Sequence, residues 1–477
     1  MLDRADYEQL DGLGLAELVR NRDVSAAEVL ETALRAIDDD NPAINAVVSR
    51  LDDQAHDAVA KGLPDGLFTG VPFALKDLGL ACAGSVTTNG SRFFRDNVDG
   101  HDSDLVARYR AAGLVIVGRT NAPEFGLNPS TEPLLHGPTR NPWDTSRIAG
   151  GSSGGAAAAV AARMLPTAHA SDGGGSIRAP AACCGAVGLK PTRARVSLAP
   201  DDGEAWCGFH TDHAITRTVR DSAAMLDVAA GPAVGDPYWP APPVRPFLDE
   251  VGADPGRLRV ACTTTAPGGT TVDPECAAAA EDAARLCESL GHHVDAAAPR
   301  YDHDRLTLAS TAIVGSCTVA VVDRRAAELG RPPADDELEA VTRLLVERGR
   351  QVSGADLVDA VRTAHAVGRQ AGAFFEDHDV LVTPALGQVP PELGVFNANT
   401  DDFDAYVGAV IGFTPFTMTW NATGQPAISL PLSQTSTGFP IGVQFVARFG
   451  DEATLFRLAA QLEQAAPWAD RRPAAFG

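Results

Sequence analysis

Lysine is nearly missing from this 477-residue chain. Of 39 basic residues only Lys61, Lys76 and Lys190 are lysines, and arginine supplies the rest. A lysine kept inside an apolar segment therefore asks for a job that arginine cannot do. Losing a proton on burial is such a job, since a guanidinium effectively never does. Positive charge is scarce altogether, with 62 acidic residues and a net charge of −23. That argues against nucleic acid or an anionic membrane surface as partner, because both need clustered Lys and Arg. The first residues, MLDRADYEQLDGLGLAELV, lack a basic segment followed by an apolar one, so no signal peptide is expected. No uncharged apolar run looks long enough for a membrane span; the Ala-rich stretch after Gly155 is broken by Arg163. Eight cysteines are scattered without a CxxC pair, and adjacent Cys183 and Cys184 are poorly placed to bridge each other. Buried free thiols in a reducing cytoplasm are expected. No His/Cys/Asp/Glu cluster has convincing ligand spacing, and the HxxH of His210 and His213 is too short and lacks the Glu of a metal-binding helix. No metal and no organic cofactor are expected.

What is present describes a folded α/β protein, with 45% hydrophobic and 21% charged residues. Residues 14–36 have helical periodicity, with Ser25 as N-cap and Glu28 three residues on. Val71–Leu75 is a short apolar run, read as a buried strand, that ends at Lys76. A helix is expected over 102–112, a strand over 114–117, a tightly packed helix over about 155–164, and strands near 165–170 and 185–189. Residues 220–375 read as more helical, with a strand at 258–262, a helix at about 275–290 and a Pro-rich surface connection at 231–247. Strands return at 380–383, 427–432 and 441–447, and a last amphipathic helix covers about 452–465. Strands alternating with helices imply a largely buried sheet.

Two segments carry chemistry: Gly150-Gly151-Ser152-Ser153-Gly154-Gly155 and Ser171-Asp172-Gly173-Gly174-Gly175-Ser176-Ile177-Arg178. Flexible linkers are not flanked by long apolar stretches, and a phosphate loop of the GxxxxGK[ST] type needs a lysine that neither segment has. Three successive glycines let consecutive N–H groups converge on one point, a nest suited to a developing oxyanion. Ser176 follows directly, so its hydroxyl can attack a carbonyl held there. A serine hydroxyl needs a base. Eleven histidines are available, but GxSxG is absent around Ser176, which argues against an α/β-hydrolase triad.

The stretch GGSSGGAAAAVAARMLPTAHASDGGGSIRAPAACCGAVGLKPT resembles the signature of the amidase signature family. The resemblance extends to GVPFALKDL, GRTNAPEFG, TRNPWD, GQPAISLPL and GFPIGVQFV, and is weakest over 220–375. In detail it is similar to the bacterial group that includes the 6-aminohexanoate cyclic-dimer hydrolases. The resemblance implies a single domain over 1–477 with a central mixed, twisted sheet covered by helices on both faces. Its parts would be N-terminal helices (1–60), a catalytic core (65–215), a variable, more helical insertion (220–375) and strands and a helix returning to the core (376–470). It implies Ser176 as nucleophile, Ser152 beside a cis peptide as relay, Lys76 as base, and the N–H groups of Gly173, Gly174, Gly175 and Ser176 as oxyanion donors. Ser153, Asp172 and Arg178 are expected to support the loop, Lys190 to be structural, and Cys183, Cys184 and Cys317 to be core thiols. Leu127, Asn128, Trp206 and Phe413 are candidates for the substrate pocket. The expected activity is hydrolysis of an amide through a serine acyl-enzyme, with aliphatic, aryl, cyclic or linear oligomeric amides, carbamates and some esters all open. A small-molecule amide is the expected partner, with a second copy of the chain the one macromolecular partner to consider. Two alternatives stand: a glutaminase-like subunit of a tRNA-dependent amidotransferase, although VFNANTDDFDAYVGAVIGF lacks the PLxMYxxD-like segment of those subunits, and a catalytically silent binding protein, although all three catalytic positions are intact.

Overall fold

The chain is described over residues 2–476 by a computed structural model. β1 (Val47–Arg50), β2 (Pro72–Lys76) and β3 (Val115–Thr120) form a small sheet in the order β1-β3-β2, with β2 parallel to β3. β4 (Arg140–Asn141) and β5 (Asp144–Ile148) make a short antiparallel ribbon. The main sheet contains β6 (Thr167–Asp172), β7 (Val187–Lys190), β8 (Thr211–Thr216), β9 (Arg259–Cys262), β10 (His293–Ala296), β11 (Val380–Pro384), β12 (Ala427–Gln434) and β13 (Pro440–Ala447). Their order is β10-β9-β11-β13-β12-β7-β8-β6. Only β9–β10 and β9–β11 are parallel, so the sheet is mixed.

Side chains alternate between sheet faces along a strand, and both faces are covered. Val380 and Val382 pack in one core with residues of helices Val219–Ala229, Pro274–Ser289 and Glu452–Ala465. Leu381, between them, packs in another with Ala371 and Phe375 of helix Gly354–Asp377 and with Trp420. This double burial explains why strands such as β13 are apolar almost throughout.

The segments that carry the site are tied together locally. Ser25 caps helix Ala26–Ile44 with the expected reciprocal bonds to Glu28. Helix Gly154–Ala161 is buried along nearly its whole length, which only Gly, Ala and one Val permit; a Cβ on Gly155 would lie 2.3 Å from Asn121 N. The backbone N–H of Lys76, at the end of β2, donates to His169 Nδ1 on edge strand β6 (3.2 Å), which joins the small sheet to the main one.

Several elements were not expected. Helix Arg178–Cys184, strands β8 and β10, and the β4–β5 ribbon appear without a periodic signal. Arg178–Cys184 is buried on every side, so it has no polar face to advertise it. Residues 220–375 supply two strands to the sheet edge as well as the long helices His303–Leu329 and Gly354–Asp377. By length and composition His303–Leu329 is the one described helix apolar enough to cross a membrane. It packs against Ala340–Gly349 and Gly354–Asp377 and borders the cavities described below.

Phe445, on β13, is 1% exposed in the main core. Phe445→Ala should lower stability by about 3–5 kcal/mol, read as a fall in the urea midpoint. Val358→Ala, at a position 59% exposed, should leave that midpoint within about 0.5 kcal/mol of wild type.

Candidate active site

Lys76 is fully buried, although it ends a strand. Its Nζ lies 2.7 Å from Ser152 Oγ, 3.0 Å from Ser171 Oγ and 3.5 Å from the Ser171 carbonyl. No carboxylate touches it within ion-pair distance among the described residues. Burial pushes the Lys76 ammonium down to about 7, against the weaker pull of Asp212 and Asp172. Ser152 follows a cis peptide bond from Gly151. Ser153 ties the double-serine loop to β6: its hydroxyl donates to the Ser171 carbonyl (3.2 Å) and accepts from Ser171 N–H (3.3 Å). Its own N–H donates to the Ser176 carbonyl (3.2 Å), which brings the two serine segments together.

The glycine turn is closed on Asp172, the last residue of β6. Asp172 accepts from Gly175 N–H (2.7 Å), Ile177 N–H (3.1 Å), Arg178 Nε and Nη2 (both 3.0 Å) and Asn421 Nδ2 (2.9 Å). Arg178 is fully buried and also donates to Gln444 Oε1 (2.7 Å), Asn421 Oδ1 (2.6 Å) and the Thr417 carbonyl (3.0 Å). Burial alone would raise the Asp172 carboxyl; the Arg178 guanidinium and the Asn421 amide outweigh it and hold the group well below the usual carboxylate range. Gly175 sits at φ +134, and a Cβ there would lie 2.5 Å from Thr417 Oγ1, so only glycine fits. The four-donor expectation is corrected here, because Gly175 N–H is committed to Asp172. The N–H groups of Gly173, Gly174 and Ser176 have no acceptor among the described residues.

Ser176 is partly exposed and borders two cavities. One, of about 200 Å³, is lined by Gly174, Gly175, Leu127, Asn128 and Trp206, and by apolar side chains including Leu306, Leu345, Val407 and Met418. It has no Asp, Glu, Lys or Arg in its wall. The other, of about 590 Å³, is shared with Ser152 and Ser171 and is walled by Asp99, His101, Asp201, Asp202, Glu204, His210, Arg324, Arg325 and Glu328. Leu127, Asn128 and Trp206 are thus at the site. The Asn128 amide, however, is occupied by the Phe396 carbonyl (2.8 Å) and Ser130 N–H (2.9 Å). Phe413 is not at the site: it is fully buried and packs on Phe396 at 5.1 Å between ring centroids. Its ring faces the core, and the cavity wall instead takes its helix neighbours Val410 and Ile411. Cys317 is corrected likewise, being partly exposed on the larger cavity, whereas Cys183, Cys184 and Lys190 are buried. No histidine hydrogen-bonds to Ser152 or Ser176 among the described residues. No group of three or more His, Cys, Asp or Glu that could hold a metal ion occurs there either.

The profile of the Amidase family matches residues 28–456. The chain belongs to the amidase signature family. A 6-aminohexanoate-cyclic-dimer hydrolase of Paenarthrobacter ureafaciens is 40% identical over 480 residues, covering 97% of this chain and 96% of that protein. The solved structure of a 6-aminohexanoate cyclic dimer hydrolase complexed with substrate superposes with a TM-score of 0.94 at 38% identity, over 98% of this chain and all of that one. A bacterial aryl acylamidase structure gives 0.87 at 27% identity, over 97% of both chains. This amidase is a hydrolase of amide bonds. Sequence reasoning missed Ser171 as a neighbour of Lys76, Asn421 and Gln444 as clamps on Arg178, and the apolar helices of the smaller cavity. Asn421 and Gln444 flank or lie within segments the family resemblance runs through, but their partners are more than 200 residues away.

Arg178→Met should leave Asp172 as a buried, unpaired charge. A loss of about 3–5 kcal/mol is expected, read as a lowered melting temperature together with lost amidase activity. The double variant Asp172→Asn, Arg178→Met should recover part of the stability and none of the activity.

Proposed function

We propose that Ser176 is the nucleophile of amide hydrolysis, Ser152 its proton relay and Lys76 the base. The observation that carries this is the 2.7 Å contact between a fully buried lysine amine and Ser152 Oγ. An amine lowered to about 7 by burial is neutral in a large fraction of molecules at neutral pH. It takes the proton of Ser152, which takes that of Ser176 as Oγ attacks the amide carbon. The oxyanion rests on the free N–H groups of Gly173, Gly174 and Ser176. When the tetrahedral intermediate collapses, the C–N bond breaks and Ser152 delivers its proton to the nitrogen. Water then attacks the acyl-enzyme ester with the same groups reversed, releasing the acid.

The direction of the substrate follows from which serine faces which cavity. Ser176 borders both, while Ser152, the proposed donor to the nitrogen, borders only the larger, polar one. The amine therefore leaves into the polar cavity and the acyl group occupies the apolar one. With no charged side chain in that wall, the acyl group is uncharged and apolar: a polymethylene chain or an aryl ring. The 6-aminohexanoate units named for one relative offer such a polymethylene chain. Glutamine fits poorly, because its ammonium and carboxylate would find no Asp, Glu, Lys or Arg to pair with there. The eight free thiols suit a reducing cytoplasm as the compartment.

Ser176→Ala should abolish hydrolysis and labelling by a fluorophosphonate while leaving the melting temperature unchanged. Lys76→Arg should be nearly as damaging as Lys76→Ala, because a guanidinium stays charged. Wild-type kcat/KM should rise with pH through an ionisation near 7, since only the deprotonated amine can act. An Arg variant with most of the wild-type rate would sink the assignment of the base. Val407→Asp, on the wall of the apolar cavity, should lower kcat/KM for hexanoyl and benzoyl amides by about 10–100-fold, with Ser176 still labelled by the fluorophosphonate. Undiminished hydrolysis would place the acyl group elsewhere.

A further inference from the structure

The backbone N–H of Lys76 donates to His169 Nδ1 (3.2 Å). A ring nitrogen that accepts carries no proton, so a neutral His169 bears its hydrogen on Nε2. Nε2 lies 3.2 Å from Asp212 Oδ1. Burial disfavours the charged ring and keeps His169 neutral. Asp212, on β8, is 4% exposed. Its Oδ1 is also 3.3 Å from Nε2 of His210, which lines the larger cavity together with Ser152 and Ser176. An unbroken line of contacts thus runs from the cavity wall, through a buried carboxylate, to the end of the strand that carries Lys76.

The charges around Lys76 are unequal. Asp172 on β6 is matched by Arg178. Arg119 on β3 donates to the Lys76 carbonyl (3.3 Å) and is matched by Asp99 (2.7 Å). Asp77, the next residue, pairs with His136 (3.3 Å). Tyr109 stands edge-on to His169, and His213 on β8 bonds to Ser222 (3.1 Å). Asp212 is held only by two imidazoles, neither of which carries a fixed charge. Asp77 also lacks a partner of fixed charge, being held by His136 and Thr88, but the carboxylates that act on the Lys76 amine are Asp212 and Asp172. Burial would raise its carboxyl, but His210 and His169 outweigh that and keep it ionised.

We propose that Asp212 is a positioning residue for amide hydrolysis: through His169 it anchors the end of β2, and its unmatched carboxylate sets the field in which the Lys76 amine gives up and regains its proton. The proposal rests on Lys76 being the base. Desolvation alone would leave the amine too weak a base to draw on Ser152, and a fixed negative charge nearby restores basicity without occupying the amine itself. His210, at the cavity wall, offsets part of that charge.

The test is kcat/KM against pH on one amide substrate for wild type, Asp212→Asn, His210→Ala and Lys76→Ala. Removing the carboxylate disfavours the protonated amine, so the rising limb of Asp212→Asn should move down by about one pH unit, with a lower plateau from the weaker base. Removing the imidazole that offsets Asp212 should move the limb of His210→Ala up. Shifts of opposite sign are not expected from general damage to the fold, and fluorophosphonate labelling of Ser176 checks folding in each variant. Should Asp212→Asn fail to fold, the upward shift in His210→Ala carries the test alone. Limbs within about 0.2 unit of wild type, with activity or limb lost in Lys76→Ala, would overturn the role of Asp212 and leave Lys76 standing. A wild-type limb that persists in Lys76→Ala would overturn the base assignment itself.

Discussion

The site depends on a lysine amine taken out of water and given no carboxylate to touch. Desolvation of an ammonium is expensive, and the group responds by releasing its proton more readily. Everything near Lys76 is consistent with keeping that balance. Its contacts are the hydroxyls of Ser152 and Ser171 and one carbonyl, which suit either protonation state. The acidic residues that act on it, Asp212 and Asp172, do so from beyond hydrogen-bond reach and only partly offset the burial. A direct Asp–Lys pair would have stabilised the ammonium and left no neutral amine for the proposed role as base.

A second buried charge is treated in the opposite way. Arg178 and Asp172 are fully buried, in direct contact and saturated with hydrogen bonds from three segments of the chain. Such a pair offers no titration near neutral pH. It serves rigidity: the carboxylate holds Gly175 N–H and Ile177 N–H on either side of Ser176, so the remaining N–H groups of the turn are presented without rearrangement. Preorganised donors of this kind are what a developing oxyanion requires. One buried ionisable group is thus kept poised and the other locked, and the difference is whether its partner is in contact.

The long helices after residue 300 build the walls rather than the chemistry. Helices His303–Leu329 and Ala340–Gly349, with Phe403–Phe413, supply much of the apolar cavity, and Arg324, Arg325 and Glu328 at the end of the first supply part of the polar one. Cavity walls tolerate change in a way that the Lys76 and Asp172 networks do not, because apolar contacts are undirected while each buried hydrogen bond has a fixed partner.

Much of this was legible in the chain alone. The scarcity of lysine, the apolar run ending at Lys76, the double serine and the three glycines before Ser176 are local features, and local features declare local chemistry. Most strands and the Ser25 cap were legible for the same reason: period and capping are properties of neighbouring residues. Helix Arg178–Cys184 was not, because a helix buried on all sides has no pattern to display. Nor could the sequence distinguish Phe413, which is core, from Val410 and Ile411, which are cavity wall, since all three are apolar and only packing decides which faces a void. Gly175 reads as an oxyanion donor until Asp172 is seen to take its N–H. The Asn421 and Gln444 clamps, and the line from His210 through Asp212 and His169 to Lys76, join residues up to about 270 positions apart. Sequence determines which groups are available and how their neighbours bias them; tertiary structure alone decides which distant groups meet, because desolvation and hydrogen bonding act through space and not along the chain.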